Sequence, residues 1–155
     1  YTIVRENNIK DIRVLKSDMF SNIDEKEKFN LILSNPPHMP MKNGKLCDSG
    51  GSNGKKYIIN IIKESFNHLE DNGELNVMMF DFEGSNKSYN DDKSIFELAK
   101  EIGYREIKTI FTFEKNITPG SVTYECLDYI KTVYPKYNFD AIKPKCNIII
   151  NSFRK

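Results

Sequence analysis

Blocks of apolar residues alternate with polar segments along this chain, and their spacing predicts strands and helices in turn. Apolar runs predict strands at five places: residues 12–15, 29–34, 75–82, 107–113 and 146–153. Apolar residues recur at helical spacing in three segments: Ile58, Ile62, Phe66 and Leu69; Ile95, Leu98, Ala99 and Ile102; and Leu127, Ile130 and Tyr134. Residues 1–10 are typical of a helix end. This alternation predicts an α/β fold with a largely parallel sheet and flanking helices.

Turn and capping residues mark the ends of these helices. The sequence Asp71-Asn72-Gly73 is expected to stop the first helix, and Gly103 the second. Asp91 or Asp92 can cap the start of that second helix. The pattern shows no internal repeat and no linker, so residues 1–155 are predicted to form a single domain.

Composition and charge narrow the class of protein. The chain is 39% apolar and 29% charged, and its ten phenylalanines and eight tyrosines argue against disorder. It has neither an apolar run long enough to cross a membrane nor a visible signal peptide. Cys47, Cys126 and Cys146 are widely spaced and form no Cys-x-x-Cys pair, which predicts reduced thiols in a cytoplasmic protein. Lys and Arg number 23 against 22 Asp and Glu, a balance that does not favour a phosphate-binding face.

Polar residues follow two of the predicted strands at the points where a ligand is expected. In an α/β sheet, ligands bind beyond the carboxyl ends of the strands. Asp18 follows the first strand, and Asn35-Pro36-Pro37-His38 follows the second. Asp18 can accept from an amine or hydroxyl of a ligand, although a turn or capping role is the alternative.

The sequence Asn-Pro-Pro is the more specific signal. Two consecutive prolines remove two backbone donors, fix two φ angles and bias Asn35 away from helical geometry. The Asn35 side-chain oxygen and the Pro36 carbonyl can both accept from one planar NH2 group and turn its lone pair toward an electrophile. Catalysis by such positioning needs no strong base. The alternative is a rigid corner with no chemical role.

The residues around this corner resemble a known family. The run F-N-L-I-L-S-N-P-P-H at 29–38 resembles the catalytic motif of class I S-adenosylmethionine-dependent amino-methyltransferases. Residues 14–20 resemble the family's preceding motif, and the glycine-rich residues 48–54 resemble a loop of its small-methyltransferase and glutamine-methyltransferase branch. Residues 69–75 resemble the segment that leads into its next strand. The resemblance covers residues 5–82 well.

The resemblance implies a Rossmann-like fold, a cofactor and a set of site residues. S-adenosylmethionine is the implied cofactor, with Asp18 and Met19 at its adenine and Asn35 close to both cofactor and acceptor. Asn35, Pro36 and Pro37 hold the acceptor nitrogen in line with the methyl group, and His38 flanks it. The implied partner is a protein, such as a release factor that is methylated on glutamine, or an RNA or DNA with an exocyclic base amine.

Two departures from the family pattern stand out. His38 occupies the position where the family most often has an aromatic residue that stacks on the acceptor. It can stack, act as a base near neutral pH, or be a surface residue with no role. In addition, the family's glycine-rich cofactor motif and first two strands are absent. This predicts the later two-thirds of a longer domain, incomplete at the N-terminus, with open strand edges.

Two alternatives to the enzyme follow from the same residues. Without the glycine-rich motif, the chain can be a non-catalytic binding or scaffold domain. Separately, Tyr124, Tyr129, Tyr134, Phe111 and Phe113 can form a base-stacking surface, although their spacing favours the core. No His or Cys cluster has the spacing of a metal site.

Overall fold

The computed structural model describes residues 11–42 and 48–155. The predicted helix end at residues 1–10, together with Gly44 and Cys47, lies outside these ranges. These ranges contain four strands and four helices, in the order β1 (Phe29–Ser34), α1 (Lys56–His68), β2 (Leu69–Phe80), α2 (Ile95–Ile102), β3 (Glu106–Asn116), α3 (Val122–Glu125), α4 (Leu127–Val133) and β4 (Lys145–Arg154). A single 3₁₀ turn, Asp81–Glu83, follows β2. The predicted α/β class is confirmed.

The four strands form one mixed sheet in the order β1-β2-β4-β3. Strands β1 and β2 are parallel, whereas β4 is antiparallel to both β2 and β3. Strands β1, β2 and β3 therefore point in the same direction, as expected, but the insertion of β4 makes two of the three pairings antiparallel. The carboxyl ends of β1, β2 and β3 meet at one edge of the sheet.

The predicted strand at Ile12–Leu15 does not form. Ile12, Val14 and Leu15 are exposed and join no ladder. Within residues 11–42 and 48–155, β1 pairs with β2 alone, and Leu33 on β1 is 70% exposed. The physical reason is that a strand needs a partner for its backbone groups, and the described residues offer the 12–15 segment none. The missing N-terminal strands stay a prediction.

Helix α1 covers the centre of the sheet. Its residues Ile58 and Ile62 are fully buried, in a cluster with Leu75, Val77 and Met79 of β2. Ile61 belongs to the same cluster. This stripe matches the predicted helical spacing, but Leu69, which was assigned to the helix, begins β2 instead. Asn72 has a φ of +66°, and the register of β2 against β1 shifts around it.

A second core cluster lies at the carboxyl edge of the sheet. It contains Met39, Phe80, Phe82, Ile117, Leu127, Ile130, Tyr134 and Cys146. The Phe82 ring stacks on Phe80, with centroids 4.9 Å apart, and contacts Tyr134 at 5.6 Å. Aromatic burial of this kind provides a rigid floor at the edge where ligands bind in α/β sheets.

The prediction that the strand at 107–113 is a core strand is wrong. Phe111 is 52% exposed and Phe113 is 57% exposed, because β3 is the last strand of the sheet and the described residues leave its side chains uncovered. Tyr124 is also exposed, whereas Tyr134 is buried in the core as its spacing predicted. Cys126 and Cys146 are free thiols.

The cap of α2 differs from the expected one. Ser94, rather than Asp91 or Asp92, precedes the helix, and its hydroxyl accepts from the Glu97 N–H at 3.3 Å. The Glu97 carboxylate in turn accepts from the Ser94 N–H at 2.8 Å, which completes a capping box. Gly103 ends the helix as predicted.

We expect Ser94→Ala to lower the free energy of unfolding by about 1 kcal/mol. Hydrogen bonds from Ser94 hold the pKa of Glu97 below its ordinary value. The part of the cap in which the Ser94 hydroxyl donates to the Glu97 carboxylate is therefore present above the ordinary pKa of a glutamate and is lost as the pH falls through the folded-state value. Urea unfolding at neutral and acidic pH measures the effect, with the exposed loop residue Ser52→Ala as the control. An equal effect at the two pH values would contradict the coupling to Glu97.

Candidate active site

The Asn-Pro-Pro-His corner lies directly beyond β1, at the carboxyl edge of the sheet. Pro36 is buried, whereas Asn35 is exposed. The corner opens on a cavity of about 400 Å³. Its lining residues come from five separate segments: Asn35, Pro36, Pro37, His38, Met39, Asp48, Phe80, Lys115, Val122 and Thr123. The structure thus brings all four predicted catalytic residues together at one open cavity.

The glycine-rich loop holds this corner in place. The Met39 N–H donates to the Asp48 carbonyl at 3.1 Å, and the Gly50 N–H donates to the Met39 carbonyl at 2.9 Å. A Cβ on Gly50 would lie 2.6 Å from the Cα of His38. The glycines at 50 and 54 therefore permit a backbone approach that any side chain would prevent.

His38 is not a free surface residue. Its side chain is 12% exposed, and its ring lies 4.6 Å from the Phe80 ring. Its Nδ1 lies 3.1 Å from Oε2 of Glu83. The imidazole is therefore held in one orientation by a ring contact and a hydrogen bond. His38 is not at the surface, and its role in the reaction stays a prediction.

Glu83 is the residue at this site that sequence reasoning missed. Its side chain is 0% exposed, and Oε2 accepts from the Phe80 N–H at 2.7 Å. Burial raises the pKa of Glu83, while His38, the Phe80 N–H and Lys55 act in the opposite direction. The available signal was an acidic residue at the end of an apolar strand, but the partner of Glu83 is 45 residues away in the sequence.

Lys55 places a cation in the same region. It is 1% exposed, and its Nζ lies 3.9 Å from Oδ2 of Asp92 and 5.5 Å from the centre of the Tyr134 ring. Burial lowers the pKa of Lys55, opposed by the charges of Asp92 and Glu83. The buried Glu83 and Lys55, the largely buried His38 and the exposed Asp92 together form what we call the charge cluster.

Asp18 and Met19 line a different cavity. This groove, of about 1160 Å³, lies against α1 and includes Lys56, Tyr57 and His68. Asp18 is exposed, and Met19 has a φ of +53°. The predicted adenine contacts therefore line one cavity, and the Asn-Pro-Pro-His corner lines another. Within the described residues, the two groups of predicted site residues do not form one site.

The side chains of Asp18 and Asn35 carry the oxygen acceptors that S-adenosylmethionine and its methyl acceptor would need. An exposed Asp18 carboxylate on a wide groove suits an exocyclic amine, and the Asn35 corner suits an acceptor nitrogen. Residues 11–42 and 48–155 contain no strand followed directly by a glycine-rich turn and a helix. The described residues therefore offer oxygen acceptors in two separate cavities, and their joint contact with one cofactor stays a prediction.

Comparison with known proteins identifies the family. Residues 2–105 match the methyltransferase small domain family, and the chain belongs to this family. The match includes Asp18, Met19 and the Asn-Pro-Pro-His corner.

Two relatives are similar over part of their length. The "Uncharacterized protein YbxB" of Bacillus subtilis is 29% identical over 107 residues, which are 66% of this chain and 47% of that protein. The "Putative protein N5-glutamine methyltransferase MJ0928" of Methanocaldococcus jannaschii is 30% identical over 91 residues, or 54% of this chain and 45% of that protein. The chain therefore spans about half the length of these relatives.

None of the helices within the described residues is long and apolar enough to cross a membrane. Across residues 11–42 and 48–155, His, Cys, Asp and Glu side chains form no group that could hold a metal ion.

Proposed function

We propose that this protein is an S-adenosylmethionine-dependent N-methyltransferase that acts on a planar amide or amine nitrogen. The observation that carries the proposal is the Asn35-Pro36-Pro37 corner, which opens on a cavity at the carboxyl edge of the sheet within the segment that matches the family. A rigid corner with oxygen acceptors suits an NH2 group that must be held still.

Each residue of the corner has a distinct role in the proposed reaction. S-adenosylmethionine supplies the methyl group. Asn35 Oδ1 and the Pro36 carbonyl accept from the two hydrogens of the acceptor NH2, which turns the nitrogen lone pair away from conjugation. Pro37 restricts the backbone that carries these oxygens, and His38 flanks the acceptor. Asp18 and Met19 contact the adenine.

We favour the side-chain amide of a glutamine in a protein as the acceptor. The printed name of the Methanocaldococcus relative describes glutamine methylation. The nearly equal numbers of basic and acidic residues also provide little attraction for a phosphate backbone. An exocyclic amine of a nucleobase is the alternative acceptor.

Labelled cofactor identifies the acceptor. The full-length protein is incubated with S-adenosylmethionine carrying a labelled methyl group and with cell extract, and the product is then treated with protease or with nuclease. We expect protease to release the label from macromolecular material and nuclease to leave it in place. Release by nuclease alone would assign the acceptor to a nucleic acid and contradict the glutamine assignment.

Cofactor binding separates the enzyme from a non-catalytic scaffold domain. We expect calorimetric titration of S-adenosylmethionine into the full-length protein to show saturable binding at one site. Asp18→Asn should weaken this binding, because a carboxylate accepts more strongly from an amine than an amide oxygen does. The exposed residue Asp11→Asn, outside both cavities, is the control. No heat of binding to the full-length protein would favour the scaffold.

A further inference from the structure

Glu83 is a buried carboxyl group in contact with the ring of His38. Its Oε2 is 3.1 Å from Nδ1 of His38 and accepts from the Phe80 N–H at 2.7 Å. A carboxylate oxygen can accept from two donors, so an ionised Glu83 would accept from Nδ1–H of His38 as well. That tautomer leaves Nε2 without a proton, on a ring that lines the cavity.

The surroundings of Glu83 supply charges from several elements. Lys55, before α1, is buried and interacts electrostatically with Glu83. The Glu83 charge also acts on Tyr134 at the end of α4 and on Cys146 of β4, and burial raises the pKa of both groups. Oδ2 of Asp92 lies 3.9 Å from Nζ of Lys55. Burial raises the pKa of Glu83, and the contact with His38, the Phe80 N–H and the charge of Lys55 act against it in favour of the ionised carboxylate.

Two buried atoms of this cluster lack hydrogen-bond partners within the described chain. They are Oε1 of Glu83 and Nζ of Lys55. Leaving buried polar atoms unpaired costs stability, and a pair of apolar residues would fill the same space at lower cost. A cluster that is costly for folding and adjoins a ligand cavity is a candidate for a chemical role.

We propose that Glu83 is a positioning residue for His38, and that Nε2 of His38 takes up the proton released from the acceptor nitrogen. The inference rests on the proposed function. A primary amide or amine nitrogen that gains a methyl group forms one N–C bond with its lone pair and becomes cationic. At the same time the methyl–sulfur bond of the sulfonium breaks, and its electron pair stays on sulfur as a neutral thioether. The nitrogen returns to neutrality by losing one proton, which moves to Nε2 and then to solvent. Glu83 stabilises the resulting imidazolium through Nδ1–H.

The tautomer of His38 tests the positioning role without any cofactor. We expect ¹⁵N spectra of the full-length protein, with His38 assigned through His38→Gln, to show Nδ1 protonated and Nε2 unprotonated at alkaline pH. Glu83→Leu should populate the Nε2–H tautomer, whereas Glu114→Leu, at an exposed carboxylate, should leave the spectrum unchanged. A wild-type ring protonated on Nε2 would overturn the inference, and this result does not depend on methyl transfer.

The split between kcat and KM tests the proton step. We expect His38→Gln to lower kcat by roughly 100-fold with little change in KM, since general-base contributions are of this size. Glu83→Gln should also lower kcat with little change in KM, because Nδ1–H then loses the charged partner that stabilises the cationic ring. A purely structural role for Glu83 would lower thermal stability and leave kcat at the wild-type value.

The outcomes separate the inference from the proposed function. Methyl transfer at the wild-type kcat by His38→Gln refutes the proton step, and transfer at the wild-type kcat by Glu83→Gln refutes the positioning role; either result leaves the methyltransferase standing. The absence of any transfer by the wild-type protein refutes the methyltransferase and the proton step together. If Glu83→Gln does not fold, the wild-type tautomer and the kcat of His38→Gln decide the matter.

Discussion

Replacing Asn35 by alanine is expected to lower methyl transfer by roughly 10²–10³-fold, the usual effect of removing one preorganised hydrogen-bonding group from a reacting centre. Asn35 is the exposed residue of the corner and lines the cavity, and the proposed reaction assigns its side-chain oxygen to the acceptor NH2. Without it the nitrogen lone pair stays conjugated with the planar group and is no longer held toward the methyl carbon. Single-turnover rates with labelled S-adenosylmethionine measure the loss.

The same substitution should leave folding and cofactor affinity nearly unchanged. Asn35 is exposed, and exposed substitutions usually change stability by within about 0.5 kcal/mol. Asn30→Ala is the matched control, since Asn30 is also exposed, lies on β1 and does not line the cavity. Turnover by Asn35→Ala at the wild-type rate would show that Asn35 does not hold the acceptor.

Replacing Gly54 by alanine is expected to lower the free energy of unfolding by about 3 kcal/mol or more. Gly54 has a φ of +77°, where a side chain is strained. A Cβ there would lie 2.5 Å from the His38 carbonyl oxygen and 2.6 Å from Oε1 of Glu83. The backbone strain and the two close contacts add, and the contacts displace His38 and Glu83 together, so methyl transfer should fall as well.

Gly120 offers a matched control for this prediction. It has a nearly equal φ of +84°, but a Cβ there meets nothing within 4 Å. Gly120→Ala therefore carries the backbone strain alone, about 1 kcal/mol. Urea unfolding of Gly120→Ala measures the cost of backbone strain alone. The same measurement on Gly54→Ala gives the cost of backbone strain plus the steric collisions. Equal losses of stability would mean that the contacts with His38 and Glu83 relax at no cost.

The local pattern of the sequence predicted most of the elements. Helices α1, α2 and α4 and strands β1 and β4 occur where apolar spacing placed them, within a few residues at their ends. Strand β2 also occurs but begins at Leu69, so that the predicted helix stop at Asp71-Asn72-Gly73 lies inside the strand. Such spacing is a local property, because the period at which apolar residues recur within one segment indicates whether that segment is a helix or a strand. The end of α2 at Gly103 was predictable for the same reason, because a C-terminal glycine acts within one turn.

The errors arise where the outcome depended on distant neighbours. The apolar residues 12–15 were predicted to form a strand, but they have no partner strand within the described chain. Phe111 and Phe113 were predicted to lie in a core strand, but β4 is inserted between β2 and β3, which places β3 at the end of the sheet. Burial of a strand is decided by what lies beside and above it, which the strand's own residues do not encode.

Some residues of the candidate site were likewise predictable from the sequence, whereas others were revealed only by the tertiary structure. Asn35, Pro36 and Pro37 were recognisable from the sequence alone, because a rigid corner after an apolar strand is built from consecutive residues. The contact of His38 with Glu83, and the cation of Lys55 near them, were decided only by the fold. Three segments that are distant in sequence converge because parallel strands bring their carboxyl ends to one edge of the sheet.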